Sequence, residues 1–99
     1  MDKELLKQKV CAAIDAHADK IKAICASIND EPELGFKEVK TSAKVAEFMR
    51  ELGLEPQTGL AINGVKARAK GGKPGPTAAV LGELDAVGCP ASAKADPAT

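Results

Sequence analysis

Glu83 and Asp85 are the residues of this 99-residue sequence best placed to do chemistry. They close the run Thr77-Ala78-Ala79-Val80-Leu81-Gly82-Glu83-Leu84-Asp85-Ala86, which is nearly all apolar or small as far as Leu84. Such a run suits a strand covered on both faces. Side chains two apart in an extended backbone lie on the same side, and ligand or catalytic groups of open α/β sheets gather outside the carboxyl ends of strands. Two carboxylates there can hold a metal, orient a histidine or share a proton. A polar strand end bathed in water is the plainer alternative, and position alone leaves both open.

The other reactive residue types are sparse. His17, the single histidine, falls between Ile14 and Ile21 on the apolar face of a helix, where a partly buried core histidine is expected rather than a ligand. One histidine makes no His-rich zinc site within this chain. Cys11 and Cys25 share the same expected helix and stand about 21 Å apart along it, whereas a disulfide needs Cα atoms within about 7 Å. Cys89, in Gly88-Cys89-Pro90, has no basic neighbour in sequence and reads as an inert thiol. Three cysteines without a Cys-x-x-Cys pair point to reduced thiols. Gly71-Gly72-Lys73-Pro74-Gly75-Pro76 fails as a phosphate cradle: the spacing is wrong, two prolines remove backbone donors, and a strand follows instead of a helix. It reads as a turn.

These groups must be positioned by few elements. Leu6, Val10, Ile14, Ile21, Ile24 and Ile28 recur at helical spacing and predict one long amphipathic helix from Lys3 to Ser27 or Ile28. Asp2 is placed to cap it, Glu4 complements its dipole, and Pro32 closes it. Val45, Phe48, Met49 and Leu52 form the stripe of a second helix starting near Lys37 or Glu38, and Gly53 stands where a glycine releases the chain. Val65 to Lys70 alternates as a strand with one wet face does. A hairpin is therefore expected, with Val65 to Lys70 and Thr77 to Leu84 as its arms. The segment from Pro90 to Thr99 reads as loop.

Fourteen basic and fourteen acidic residues balance and intersperse. That leaves no basic stripe for a nucleic acid. The opening residues lack a signal-peptide layout, and no apolar run approaches the roughly 20 residues of a membrane span. A cytoplasmic protein, with neither nucleic-acid nor membrane partners, is expected. Much of the apolar content is alanine and the only aromatics are Phe36 and Phe48, so the core is thin.

Asn29-Asp30-Glu31-Pro32-Glu33-Leu34-Gly35-Phe36-Lys37-Glu38, followed by Val80-Leu81-Gly82-Glu83-Leu84-Asp85-Ala86-Val87, resembles the beginning of a family of metal-dependent amidohydrolases and peptidases. That family comprises the aminoacylases, hippurate hydrolases and aminobenzoyl-glutamate hydrolases. The Thr41-Ser42 pair and the Gly75-Pro76-Thr77 step agree with it. The resemblance runs from about Ile14 to Asp96, and its specific part is the two motifs and their spacing. It implies an α/β fold: the N-terminal part of a three-layer, zinc-peptidase-like catalytic domain. Two helices and then a β-hairpin with an incomplete sheet make residues 1–99 a single partial domain. Asp85 takes the place of the aspartate that braces a metal-binding group. Glu83 takes the place of the residue two before it, where glutamate departs from the family's histidine form. The run into Asp85 looks closest to the branch acting on aminobenzoyl-glutamate or on dipeptides. In that branch the metal ligands come mostly later, beginning with a His-Ala-Cys-Gly-His run that this chain lacks. Cys89 is not the cysteine of that run. The segment from Pro32 to Glu38 is structural by both readings, with Gly35 permitting the tight connection and Phe36 packing where the helices meet.

The implied complete enzyme binds two divalent metals, zinc or manganese, and an activated water attacks an amide carbonyl. A glutamate base beyond this chain takes the proton. The substrate is an N-acyl or aryl-acyl amino acid, aminobenzoyl-glutamate-like, or a dipeptide. This chain alone is expected to bind no metal tightly and to hydrolyse nothing. The alternative is a small non-catalytic helical-hairpin module that associates with itself through an exposed strand edge.

Overall fold

The computed structural model describes residues 2–88 and 91, in two compact units, Met1–Asp30 and Glu31–Thr99. Cys89, and the expected closing loop apart from Ala91, lie outside the described residues.

The first unit is two helices, α1 (Lys3–Ala16) and α2 (Ala18–Asp30), where the apolar spacing predicts one. The break is a single residue wide. His17 sits at φ −106° and ψ 12°, in the sparsely allowed bridge region. Its N–H still reaches the carbonyls of Ala13 and Ile14 at 3.2 and 3.1 Å, and its own carbonyl accepts from Ile21 N–H at 3.0 Å. Alanine flanks it on both sides, so neither proline nor glycine, common causes of a sharp kink, marks the place in the sequence. His17 is exposed rather than partly buried. The stripe it was expected to join (Leu6, Val10, Ile14 and Ile21) is itself more than two-fifths exposed, so this face holds no core for an imidazole to enter. Asp2 stands at the N-cap with extended backbone, but its side chain makes no capping bond; its carbonyl accepts from Leu6 N–H at 3.0 Å. Cys11 and Cys25 are free, exposed thiols. Helix α2 stops at Asp30, short of Pro32, as a following proline requires.

The second unit holds α3 (Val39–Glu51), β1 (Gln57–Leu60) and β2 (Gly64–Lys66). The end of α3 follows the sequence closely. Gly53 takes φ +82°, its N–H donates to the Arg50 carbonyl at 2.9 Å, and Leu54 N–H donates to the Met49 carbonyl at 3.0 Å. That bond pair is the Schellman motif, which glycine accommodates without a Cβ penalty. Helix α3 packs on both strands. Its Val45, Phe48 and Met49 are half-buried, Leu52 is exposed at the C-cap, and Ala46 is the one buried apolar residue among those described.

The hairpin is not the expected one. Strands β1 and β2 pair antiparallel, with Gln57 opposite Lys66 and Leu60 opposite Gly64, and the register slips between them, where Gly59 takes φ +72° as in a glycine bulge. The reversal places Ala61 at φ +44° and Ile62 at φ +81°, conformations that side-chain-bearing residues rarely adopt. Gly64 is required by contact: a Cβ there would lie 2.5 Å from the Leu60 carbonyl oxygen. Only the start of the alternating run from Val65 is strand. Residues 77–84 form none, and Val80 and Leu81 are almost fully exposed. That run pairs with neither strand, and its residues from Thr77 to Glu83 are exposed.

The described residues thus make three helices and a two-stranded antiparallel sheet, an α/β arrangement with an incomplete sheet. No helix among them is long and apolar enough to cross a membrane.

Candidate functional site at the start of α3

The first turn of a helix leaves backbone N–H groups without helical partners and a partial positive charge. In α3 the N-cap residue, Glu38, makes no side-chain capping bond. Glu33 does that work from further upstream. Its Oε1 accepts from Thr41 N–H at 2.6 Å and from Thr41 Oγ1 at 2.7 Å, and its Oε2 accepts from Lys40 N–H at 3.1 Å. The Thr41 backbone N–H, chief among these donors, holds the Glu33 carboxyl below the ordinary value of 4.5 against the opposing effect of burial, with the Thr41 hydroxyl and Lys40 assisting. Just before it, Glu31 pairs with Lys40 and Lys44, each at 3.1 Å. Hydrogen bonds from these two ammonium groups, Lys40 first, lower the Glu31 carboxyl as well.

Glu38 faces the other way and ties two turns together. Its Oε1 accepts from Phe36 N–H at 2.7 Å and its Oε2 accepts from Asn63 Nδ2 at 3.2 Å. Glu38 and Thr41 are 9% and 2% exposed, the two buried polar residues among those described. The connection itself is a β-turn closed by Lys37 N–H donating to the Leu34 carbonyl at 2.9 Å. Phe36 carries the positive φ of that turn, +63°, at the position where glycine is usual. The residue is 71% exposed. One expectation is corrected here: Phe36 does not pack between helices, because the turn aims it outward. Gly35 lies in the connection beside two acids.

Those acids are Glu38 and Asp85. A Cβ at Gly35 would lie 3.9 Å from Asp85 Oδ2 and 3.9 Å from Glu38 Oε1. Next to Asp85, Ala86 N–H donates to the Glu33 carbonyl at 2.7 Å. The two motifs read from the sequence as separate therefore meet, with the end of one docked on the turn of the other. Asp85 remains exposed on the outer side. Glu83 is exposed as well. Residues 77–84 form no strand, so the same-side placement expected of Glu83 and Asp85 loses its basis.

What this arrangement can do is limited and specific. Among the described residues no three His, Cys, Asp or Glu side chains are grouped to hold a metal. Five protein donors occupy the oxygens of Glu33 and Glu38: the N–H groups of Phe36, Lys40 and Thr41, the Thr41 hydroxyl and the Asn63 amide. The described residues do not fit a zinc or manganese centre. Asp85 is left as an accessible carboxylate, fixed in place by a backbone bond one residue away and able to accept from a donor outside. A separate shallow groove of about 430 Å³, lined by Gly53, Gln57, Lys66, Arg68 and Lys70 among others, opens beside the hairpin.

Sequence reasoning missed Glu33 as a cap, because a carboxylate seven and eight residues before the amides it binds matches no capping-box spacing. It also missed Asn63. An Asn-Gly step is a hairpin signal, and Asn63-Gly64 was there to be read; in the structure Asn63 bonds Glu38 while Ala61 and Ile62 take the positive φ angles.

Over 61 residues the chain is 41% identical to thermostable carboxypeptidase 2 of Saccharolobus solfataricus, a match covering 61% of this chain and 16% of the relative. It is also 41% identical to thermostable carboxypeptidase 1 of the same organism, over the same extent. It is 32% identical over 82 residues to a putative amidohydrolase, YhaA, of Bacillus subtilis, a match covering 83% of this chain and 21% of the relative. The chain thus spans about a fifth or less of the length of these relatives. No family model and no solved structure matches. The similarities support a relationship with peptidases and amidohydrolases.

Proposed function

We propose that this chain forms the opening part of the catalytic domain of an amide-bond hydrolase, and that Asp85 is its contribution to the active site. One observation carries the reading. The Pro32–Glu38 turn and the Asp85 segment, far apart in sequence, are joined by the bond from Ala86 N–H to the Glu33 carbonyl. The turn, capped helix and hairpin act as a platform, and Asp85 is presented at its edge as a hydrogen-bond acceptor. In the complete enzyme it braces a metal-binding side chain supplied from elsewhere, fixing that side chain's orientation and raising its basicity. A zinc or manganese ion held by residues from elsewhere would supply the activation of water in such an enzyme. The residues described here position and orient; none of them is the proton-transferring base. The substrate is an N-acyl or aryl-acyl amino acid or a dipeptide, and the site of action is cytoplasmic. Alone, the 99-residue chain turns over no amide and binds zinc or manganese only weakly.

A chimera tests this. Residues 1–99 replace the matched opening segment of Saccharolobus solfataricus carboxypeptidase 2, and peptide hydrolysis is measured. The chimera is expected to be active, Asp85→Asn to lose most of kcat, and Glu83→Gln to change little. A chimera that folds, with a cooperative melt, yet hydrolyses nothing overturns the proposal. Comparing hippurate, aminobenzoyl-glutamate and dipeptides in the active chimera then tests the substrate class. Micromolar metal affinity by calorimetry, or amidase turnover by the isolated chain, contradicts the incomplete-site reading.

A further inference from the structure

We infer that residues 73–85 dock antiparallel against the same residues of a second copy of this chain, through a two-fold axis at Ala79. The surface is unpartnered: Val80 and Leu81 are almost fully exposed, and every residue from 68 to 83 is exposed. An apolar run that pairs with no strand of its own chain is a template for another. The charge order along it selects the occupant. Arg68, Lys70 and Lys73 precede the apolar stretch and Glu83 and Asp85 follow it, with no charge between. Among the described residues no ion pair engages Lys73, Glu83 or Asp85. A strand that is basic at its start and acidic at its end is complementary to itself when reversed. Parallel, in-register pairing would set like charges opposite each other, which is unfavourable.

The register follows from the side chains. With Ala79 on the axis, Thr77 faces Leu81 of the partner copy, Ala78 faces its Val80, and Lys73 faces its Asp85 with its Glu83 on the diagonal. Directly opposite residues in an antiparallel pair alternate between those that exchange backbone bonds and those that do not. If Ala79 is a bonded pair, so are the other odd positions. Pro74 and Pro76 then fall on the unbonded set, where a missing N–H loses nothing. Shifting the axis to Ala78 sets Val80 against Pro76 and Leu81 against Gly75, which shortens the apolar overlap. A two-fold contact of this kind closes on itself and ends at a dimer.

The inference concerns the 99-residue chain and does not rest on the hydrolase reading, so its failure leaves the chimera's activity unaffected. Sedimentation equilibrium of the full chain from micromolar to millimolar is expected to show a reversible monomer–dimer transition. Val80→Lys and Leu81→Lys leave the helical circular dichroism unchanged, because both side chains are already in water, and abolish the dimer. Lys73→Glu weakens it about tenfold, as two symmetry-related cross-strand pairs become repulsive, and adding Asp85→Lys restores it. Spin labels on a background with Cys11, Cys25 and Cys89 changed to serine report the direction: an Ala79→Cys label lies close to its mate, and a Gly75→Cys label lies much further from its own. Equal distances at the two positions, a monomer at every concentration, open-ended aggregates, or a dimer that survives Leu81→Lys each overturn the inference.

Discussion

Helices α1, α2 and α3 are nearly equal in length, at 14, 13 and 13 residues, yet only α3 contains buried residues. The apolar stripe of α2 is nearly as pronounced as that of α3, so periodicity alone does not explain the difference. Two things distinguish α3. A hairpin covers one of its faces, and two of its N-terminal amides, which lack helical partners, are satisfied by Glu33, a residue outside the helix. Amphipathic spacing tells a helix which face to bury, but burial needs a partner element and a fixed entry angle. Most helical stability in proteins comes from such packing rather than from propensity.

The comparison can be broken most severely at the cap. Glu33→Ala leaves the amides of Lys40 and Thr41 and the Thr41 hydroxyl without their acceptor, and is expected to give the largest fall in melting temperature of any single change here. Acid does the same gradually. The Glu33 carboxyl lies below 4.5 in the folded chain, so the folded state binds fewer protons than the unfolded state as pH falls through that region. Its contribution is complete above about pH 4.5 and disappears as pH drops through the lowered folded value. Melts recorded from pH 6 downward should show that loss, and Glu33→Gln should flatten it.

Next comes Gly64→Ala, which drives a Cβ into the Leu60 carbonyl and should cost more than about 1 kcal/mol in denaturant unfolding. Gly53→Ala forces alanine into left-handed backbone at the end of α3, at a cost of about 1 kcal/mol. The smallest effect belongs to the other region. Val10→Ser in α1 should change stability by less than about 0.5 kcal/mol, because its side chain is more than half exposed already. If Val10→Ser matches Gly64→Ala in urea titrations, the contrast between the helices is wrong.

Local rules were legible and long-range ones were not. The end of α3 at Gly53 and the stop before Pro32 are set by residues within a turn of the event, and both follow the sequence. The break at His17 has no local mark. The run from Thr77 to Leu84 reads as a buried strand because of its composition, but strand formation depends on neighbours that composition does not supply. The same holds for the candidate site: Asp85 was singled out by its motif, whereas its place beside Gly35 and the Glu33 cap depend on a loop closing across the chain.

The bond between Ala86 and Glu33 has a bearing on length. It makes everything from Ala67 to Leu84 a closed excursion rather than a tail, anchored by β2 on one side and the α3 turn on the other. Closing a loop grows dearer only logarithmically with its size, by about 0.6 kcal/mol per doubling, so extra residues near Gly72 are absorbed with little effect. One residue added between Glu33 and Lys40 is a different matter, because it rotates the carboxylate off the amides it serves. Tolerance to insertion is therefore set by whether a stretch spans distance or fixes an angle.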